Sequence, residues 1–224
     1  EGGAKKVAGR DGMGTTLLSA VEVIGRIPDA YFQAIGSGTG TIAAWENNLR
    51  LIEDGRYGTH KMKLYPSQND PFTIMYDSWK KHSRSLVPMT PDEARKAAAI
   101  IDAKVLSNRK PPYPISGGLY DALEDAGGDI FKVTNDELHA WQAKFLELEG
   151  VDIHCAAAVA VASLAQAVNE GTVGKSDVIM LNITGAGEGL AKSEGEVFYA
   201  TPNLVLDPSS KEEEIITQVE NLFK

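Results

Sequence analysis

The stretch "FQAIGSGTGTIAAWE", residues 32–46, decides how the chain folds. A short apolar run stops at the segment Gly36–Gly40, and apolar residues at helical spacing follow it. Glycine loses more backbone freedom on folding than any other residue, so a segment this rich in glycine indicates that bare backbone is needed there. The order strand, glycine loop, helix is typical of phosphate-binding sites, because the N–H groups and the dipole at a helix start favour an anion. Three hydroxyls could add donors: Ser37, Thr39 and Thr41.

Three better-known glycine motifs do not fit this loop. A P-loop requires a lysine directly after its last glycine, and none follows Gly40. A nucleophile elbow requires glycine two residues before its serine, where Ile35 stands. A dinucleotide fold requires an acidic residue at the tip of the next strand, which ends in residues 64–67 without a carboxylate. The pattern therefore favours a compact phosphate monoester, and a glycine-rich turn without a ligand stays open as the alternative.

Length and composition bound the class of protein. The chain has 224 residues, of which 43% are hydrophobic and 24% charged, which suits one large α/β domain or slightly more. Its net charge of −9 argues against a nucleic-acid-binding surface. A single cysteine, Cys155, excludes an intrachain disulfide framework and indicates a reducing interior. With neither an apolar run of transmembrane length nor a signal-peptide pattern, we expect a cytoplasmic protein that does not bind membranes.

Hydrophobic patterning predicts strands that alternate with helices. Strands are expected near residues 31–36, 60–66, 129–134 and 177–185, the last being the most hydrophobic and therefore central. Helices are expected over residues 12–27, 42–55, 72–82 and 154–169, after the capping boxes at Thr90–Glu93 and Thr134–Glu137, and after Ser210. Residues 66–72 and 108–118 are predicted as loops. Alternation of this kind predicts an α/β fold with a mostly parallel sheet and helices on both faces.

Several stretches, taken in order, resemble one family of enzymes. They are the glycine loop and, after it, "LYPSQNDPF" (64–72), "PPYPISGGLYDAL" (111–123), "EGVDIHCAAAVAVASLAQAV" (149–168) and "DVIMLNITGAG" (177–187). Together they resemble the C-terminal half of threonine-synthase-like enzymes, which are fold-type II pyridoxal-phosphate enzymes with the fold of the tryptophan synthase β-subunit. Within that group the opening residues 1–14 are most similar to the cysteate synthases of methanogens.

That resemblance implies a cofactor, a reaction and a set of binding residues. The cofactor is pyridoxal 5′-phosphate, and the reaction is the β-replacement of O-phospho-L-serine with sulfite to give L-cysteate and phosphate, a step toward coenzyme M. Gly36, Ser37, Gly38, Thr39 and Gly40 match the loop that holds the cofactor phosphate. Thr184 matches the residue whose hydroxyl meets the pyridine nitrogen. A homo-oligomer is the implied form of the full-length enzyme.

Other features of the sequence limit what this chain can do by itself. The family's Schiff-base lysine follows a short serine motif that neither Lys5 nor Lys6 matches, so we assign no catalytic residue to the chain. Residues 1–224 are therefore expected to be the C-terminal cofactor-binding portion of a two-domain enzyme, without the half that carries this lysine. The sequence departs from the family at His154-Cys155, where an acidic residue and proline are usual, and in "TGAGEG" (184–189).

The remaining candidate residues favour structural roles. The four histidines lack metal-ligand spacing, so no metal site is predicted. The basic cluster formed by Lys80, Lys81, His82 and Arg84 is expected to be a solvated face, with attraction of an anionic substrate as the alternative. Two other functions stay open: a threonine synthase acting on O-phosphohomoserine, and a phosphate-binding fragment without catalysis.

Overall fold

The computed structural model describes residues 5–195, 198–207 and 209–224. The helices are α1 (Val7–Ile24), α2 (Thr39–Asp54), α3 (Ile74–Lys80), α4 (Pro91–Ile100), α5 (Leu119–Ala126), α6 (Asn135–Glu149), α7 (Cys155–Asn169), α8 (Gly189–Ser193) and α9 (Glu212–Asn221). The strands are β1 (Ala30–Ala34), β2 (Lys63–Asn69), β3 (Phe131–Val133) and β4 (Ile179–Leu181). The chain forms two compact units, residues 1–188 and 189–224, and every strand named here belongs to the first.

The four strands form one sheet in the order β3-β2-β1-β4, and each neighbouring pair is parallel. Phe32 at the middle of β1 lies opposite Tyr65 of β2 on one side and Leu181 of β4 on the other. The predicted α/β class with a parallel sheet is confirmed. Because the strands are parallel, the loops that follow β1 and β4 leave the sheet at the same edge.

The prediction that the most hydrophobic strand is central was wrong. Within the described residues β4 pairs with β1 alone, and the side chains of Ile179, Met180 and Leu181 are only half-buried. Met180 packs against one core cluster, while Ile179 and Leu181 pack on the opposite face. An apolar run therefore indicates that both faces of a strand are covered, but it does not indicate how many strands flank it.

The prediction of a loop over residues 66–72 was wrong for residues 66–69, because β2 continues through Pro66 to Asn69, and is confirmed for residues 70–72. Proline has no N–H to donate to a neighbouring strand, so it is tolerated only where no carbonyl of that strand needs a donor. The ladder between β2 and β3 is interrupted at this point. It has a bridge from Leu64 to Gly128 and resumes only at Ser67, opposite Phe131.

Helices cover both faces of the sheet, as the sequence predicts. On one face Phe32, Tyr65 and Phe131 form an aromatic cluster, with the Phe32 and Tyr65 rings stacked at 4.9 Å between centroids, and Ala167 of α7 completes it. On the other face Tyr31 and Leu64 belong to the largest core cluster. That cluster also contains buried residues of α1, α2, α3, α4 and α5.

Two helix starts follow the predicted local signals closely, whereas α9 has Lys211 and not Ser210 as its N-cap residue. Thr90 and Thr134 each accept a hydrogen bond from the backbone of a glutamate three residues on, and both capping boxes are formed. Caps of this kind each contribute about 1 kcal/mol. Helix α1 begins at Val7, earlier than the predicted residue 12, and ends at Gly25 in the left-handed conformation. Among the residues that the structure describes, no helix combines the length and the apolarity needed to cross a membrane.

Helix α5 was not predicted from the sequence, although its pattern was present. Leu119, Ala122, Leu123 and Ala126 follow one another at helical spacing, and all four are buried. The helix lies directly after the predicted loop of residues 108–118, which forms turns and bends. It matters for function because Leu119 packs behind the glycine loop, as described next.

Candidate cofactor site

One wall of the candidate site is the glycine loop between β1 and α2. At each of its three glycine positions a different structural constraint disfavours a side chain. A Cβ at Gly36 would lie 2.9 Å from the Val105 carbonyl oxygen, in a 3₁₀ turn that packs behind the loop. Gly38 is the N-cap of α2 and has φ 79°, a left-handed conformation that L side chains rarely adopt. A Cβ at Gly40 would lie 2.6 Å from Nε2 of Gln33. We call residues Gly36–Gly40 the loop wall.

The loop wall presents backbone donors to the space in front of it. The intrahelical ladder of α2 starts with the Ile42 N–H, which donates to the Gly38 carbonyl at 3.0 Å. The backbone N–H groups before Ile42 therefore lie outside that ladder, as at any helix start. One of them, the Thr39 N–H, donates to Oγ of Ser37 at 3.3 Å. The Ser37 and Thr39 hydroxyls are 2.9 Å apart and hydrogen-bonded, which gathers both at the mouth of the loop. The helix dipole adds partial positive charge at the same point.

The opposite wall is formed by Asn182, Ile183 and Thr184, which follow β4, and we call these residues the strand-end wall. The segment beyond Thr184 is held by the residues that precede α7. The His154 N–H donates to the Gly185 carbonyl at 3.0 Å, and the Gly187 N–H donates to the Asp152 carbonyl at 2.9 Å. The two places where the sequence departs from the family, His154-Cys155 and residues 184–189, are thus in direct contact through His154 and Gly185.

Both walls line a single cavity of about 440 Å³. All six residues predicted to bind the cofactor line it: Gly36, Ser37, Gly38, Thr39, Gly40 and Thr184. Its volume falls within the range of about 300–1,000 Å³ that is usual for small-molecule sites. Within the described part of the chain, no acidic or basic side chain lines it.

These residues fit pyridoxal phosphate. A phosphate needs N–H and O–H donors and no nearby carboxylate, and the loop wall supplies that combination. The space is kept open because every loop glycine lacks a Cβ that would fill the cradle or clash behind it. The Thr184 side chain is exposed on the far side, where one hydroxyl can meet a ring nitrogen.

One proposed donor does not reach the site. The Thr41 side chain is fully buried, and its Oγ1 has no hydrogen-bond partner within the described residues. Thr41 lies two residues after Thr39 in α2, so the helical turn carries its side chain away from the cavity. The prediction that Thr41 adds a hydroxyl to the site was wrong.

Sequence reasoning also missed seven residues that line the cavity, and four of them have polar or thioether side chains: Met13, Thr16, Gln33 and Asn182. Met13 and Thr16 come from α1, whose helical pattern indicated burial only. Gln33 and Asn182 carried a signal that could have been used. Each is a polar residue within or directly after an apolar strand, at the end where the loops of a parallel sheet gather.

The other candidate residues have structural roles. Lys80 pairs with Asp129 at 2.5 Å and Arg84 with Asp121, so these two cations of the basic cluster are already neutralised. Among residues 5–195, 198–207 and 209–224, no group of histidine, cysteine or acidic side chains has the geometry of a metal site.

The first turn of α7 is held by His154 and contains the single cysteine. The Nδ1 atom of His154 accepts from the Ala156 N–H at 3.0 Å and thereby caps the helix. Burial, and to a lesser extent the charge of Asp102, raise the pKa of the Cys155 thiol above its ordinary value, which disfavours a reactive thiolate. Both residues therefore pack and cap the helix, as the sequence predicted.

No lysine among the described residues lines the cavity. Lys5 and Lys6, the two lysines weighed in the sequence, precede α1, and Lys6 is its N-cap residue.

Comparisons with known proteins identify the family of the chain. Residues 3–185 match the model of a family described as "Pyridoxal-phosphate dependent enzyme". The chain is 48% identical over 207 residues to the cysteate synthase of Methanosarcina acetivorans, covering 92% of this chain and 50% of that protein. It is equally similar to the cysteate synthase of Methanosarcina mazei, with 48% identity over 210 residues, 93% of this chain and 50% of that protein. The chain thus spans about half the length of the curated relatives it matches.

Solved structures give the same fold. An L-serine ammonia-lyase from Rhizomucor miehei superposes with a TM-score of 0.63 at 14% identity, over 85% of this chain and 56% of that one. The predicted fold-type II architecture is therefore confirmed. The family match covers most of the chain, including both walls of the cavity. The chain belongs to the family of pyridoxal-phosphate dependent enzymes.

Proposed function

We propose that the cavity holds pyridoxal 5′-phosphate, with the phosphate at the loop wall and the pyridine nitrogen at Thr184. The observation that carries this proposal is that the glycine loop and Thr184, far apart in sequence, line one uncharged cavity. The backbone N–H groups, the hydroxyls of Ser37 and Thr39 and the α2 dipole bind the dianion there, because no cation is needed when several donors converge.

When bound, the cofactor withdraws electrons from the Cα of an amino-acid substrate. Thr184 sets how strongly the bound cofactor withdraws these electrons. A hydroxyl donates a hydrogen bond to the ring nitrogen without protonating it, whereas a carboxylate at this position would favour the protonated ring. An unprotonated ring withdraws less strongly, which suits rapid loss of a leaving group from Cβ.

The reaction that we propose is β-replacement of O-phospho-L-serine by sulfite. The Cβ–O bond to phosphate breaks, a Cβ–S bond to the sulfur of sulfite forms, and the products are L-cysteate and inorganic phosphate. Support comes from the similarity to the curated cysteate synthases, which extends over more than nine tenths of the chain. The substrates are small anions, and the absence of carboxylates among the described residues of the cavity wall suits them.

We propose that the lysine that bonds the cofactor covalently lies outside residues 1–224, in another part of a two-domain enzyme whose C-terminal portion is this chain. Two observations support this: no described lysine lines the cavity, and the relatives are about twice as long as the matched region. We also propose that the complete protein is a cytoplasmic homo-oligomer. The exposed apolar side chains of α1, such as Val7 and Val23, provide surface for such contacts.

The test uses the protein expressed from its complete gene, loaded with cofactor and given O-phospho-L-serine and sulfite. We expect L-cysteate and phosphate in equal amounts, and no such turnover of O-phosphohomoserine. Borohydride reduction followed by peptide mapping should place the single pyridoxyl-lysine outside residues 1–224. Phosphate release from O-phosphohomoserine alone would contradict the reaction, and a modified lysine within the chain would contradict the assignment of its two portions.

A further inference from the structure

A buried tyrosine is hydrogen-bonded to side chains on both sides of the cavity. Tyr31 in β1 is only 1% exposed, and its ring lies in the largest core cluster. Its hydroxyl accepts a hydrogen bond from Nδ2 of Asn182 at 2.9 Å and donates one to Oε1 of Gln33 at 2.7 Å. Both partners line the cavity, Asn182 in the strand-end wall and Gln33 beneath the loop wall.

The direction of these hydrogen bonds is fixed by chemistry. The Asn182 amide N–H can only donate, so the Tyr31 hydroxyl must use its single proton toward the carbonyl oxygen of Gln33. Burial keeps the hydroxyl protonated, because it raises the pKa of Tyr31 well above its ordinary value, while the Asn182 bond lowers it by a smaller amount. The Gln33 amide packs edge-on against Gly40, where a Cβ would lie 2.6 Å from Nε2 and 2.7 Å from Oε1. Because Oε1 accepts from Tyr31, Nε2 is the group of this amide that is left to donate beside Gly40.

The packing of the core does not require this hydroxyl. Phenylalanine would fill the same apolar cluster, and a buried hydroxyl is unfavourable unless it is hydrogen-bonded. Its two side-chain partners both lie in the cavity wall. The hydroxyl therefore holds two side chains of the cavity wall and is not needed for the packing of the core.

We propose that Tyr31 is a positioning residue of the cofactor site, and that through it Gln33 supplies an amide donor to the anion at the loop wall. The inference rests on the proposed function, since it takes the loop wall as the phosphate site. In this arrangement Asn182 orients Tyr31, Tyr31 orients Gln33, and Gln33 meets the phosphate beside Gly40. Chains of hydrogen bonds polarise one another, which strengthens the terminal donor.

The first experiment compares Tyr31→Phe with Tyr113→Phe in the protein expressed from its complete gene. Tyr113 is a matched control, because it is fully buried in the same cluster and its hydroxyl donates to the Ser83 carbonyl at 2.9 Å, outside the cavity wall. Both variants should lower Tm by similar amounts. Only Tyr31→Phe should weaken the affinity for pyridoxal phosphate, by about tenfold, together with the affinity for inorganic phosphate measured by competition.

The second experiment uses Asn182→Ala to test whether the hydrogen bonds act in the order Asn182, Tyr31, Gln33. With Tyr31 intact this change should weaken cofactor binding about fivefold, and in the Tyr31→Phe background it should have no further effect, because its path to Gln33 is already broken. If Tyr31→Phe does not fold, the pair Gln33→Ala and Asn182→Ala is measured alone. The effect of Asn182→Ala should then vanish when Gln33→Ala is also present.

Two results would overturn the proposal. One is that Tyr31→Phe and Tyr113→Phe bind the cofactor equally well. The other is that the effect of Asn182→Ala persists unchanged in the Tyr31→Phe or Gln33→Ala background, which would mean that Asn182 acts directly. Gly38→Val distinguishes failure of this proposal from failure of the proposed function. If Gly38→Val also leaves cofactor affinity unchanged, the loop wall is not the phosphate site. If Gly38→Val lowers it, only the role of Tyr31 is refuted.

Discussion

The loop wall and the strand-end wall reach the cavity from neighbouring parallel strands, but they are held in different ways. The loop wall is short, half to fully buried, and backed by the 3₁₀ turn at Val105 and by Leu119 of α5. The strand-end wall follows a half-buried strand, and its Thr184 is exposed. It is steadied from outside the sheet by hydrogen bonds to Asp152 and His154.

The difference separates two kinds of recognition. In the site that we propose, the loop wall binds through backbone N–H groups, so its side chains can vary widely while its backbone conformation cannot. The strand-end wall is proposed to bind through the side chain of Thr184, so a substitution there can change the chemistry of the site while the backbone stays the same. Changes to the loop wall should therefore affect whether the cofactor binds, and changes to the strand-end wall should affect how the bound cofactor behaves.

The largest effect is expected from Gly38→Val. The left-handed backbone and Leu119, 3.0 Å from a Cβ at this position, oppose the change, and the loop must reshape. Gly25→Val is a matched control, because Gly25 also has a left-handed φ of 74° but faces open space at the end of α1. Both should lose about 1–3 kcal/mol of stability. Only Gly38→Val should lower cofactor affinity, by roughly a hundredfold or more; equal affinities in a titration would refute a phosphate site here.

A smaller effect is expected from Gly187→Ala, which disturbs the support of the strand-end wall. A Cβ at Gly187 would collide with the Asp152 carboxylate, whereas a Cβ at Gly185 would meet His154 Cβ at 3.3 Å, a tight but tolerable contact. Overpacking of this kind should lower cofactor affinity about tenfold in Gly187→Ala and less than about threefold in Gly185→Ala. A titration that ranks the two variants in the opposite order would show that this contact does not place Thr184.

Thr184→Val tests the side chain of the strand-end wall without changing its shape. It should lower cofactor affinity about two- to tenfold, as the loss of one hydrogen bond does, while leaving the affinity for inorganic phosphate unchanged. Thr16→Val is the control within the same cavity, since the Thr16 hydroxyl already donates to the Met13 carbonyl at 3.0 Å. Thr16→Val should change neither affinity. If Thr184→Val lowers the affinity for inorganic phosphate and Thr16→Val does not, the proposed assignment of phosphate to the loop wall and of the ring nitrogen to the strand-end wall is wrong.

The smallest effect concerns the support of the loop wall at low pH. Asp125 of α5 accepts hydrogen bonds from Lys61 and, more weakly in effect, from Trp45 of α2, and these lower the pKa of its carboxyl. A lowered folded-state pKa stabilises the fold above the unfolded-state value of about 3.9 and loses that contribution as the pH falls through the folded-state value. The groups are partly exposed, so Asp125→Asn should cost less than about 1 kcal/mol at pH 7.

Chemical denaturation of Asp125→Asn and the parent protein from pH 7 to 2 checks this prediction. The difference in unfolding free energy should shrink as the pH falls below about 4, because the parent carboxyl becomes neutral. A difference that stays constant over this range would mean that the charge of Asp125 contributes nothing.

The sequence predicted what is decided locally. The capping boxes at Thr90 and Thr134 and the glycine loop depend on residues a few positions apart, so their pattern is sufficient. The position of β4 at an edge and the extension of β2 through Pro66 depend on which strand lies alongside, which hydrophobicity does not encode. For the site, resemblance to a family indicated the loop and Thr184. Gln33 offered a usable signal, a polar residue near the end of an apolar strand, but its contacts with Tyr31 and Gly40 join residues whose proximity only the structure shows.

A crystal structure of the protein expressed from its complete gene, grown with pyridoxal phosphate, tests the central claim most directly. We expect the phosphate within about 3 Å of backbone N–H groups at the start of α2 and the pyridine nitrogen at hydrogen-bond distance from the Thr184 hydroxyl. A phosphate bound away from Gly36–Gly40, or a ring nitrogen that faces a residue other than Thr184, would contradict the assignment of the two walls.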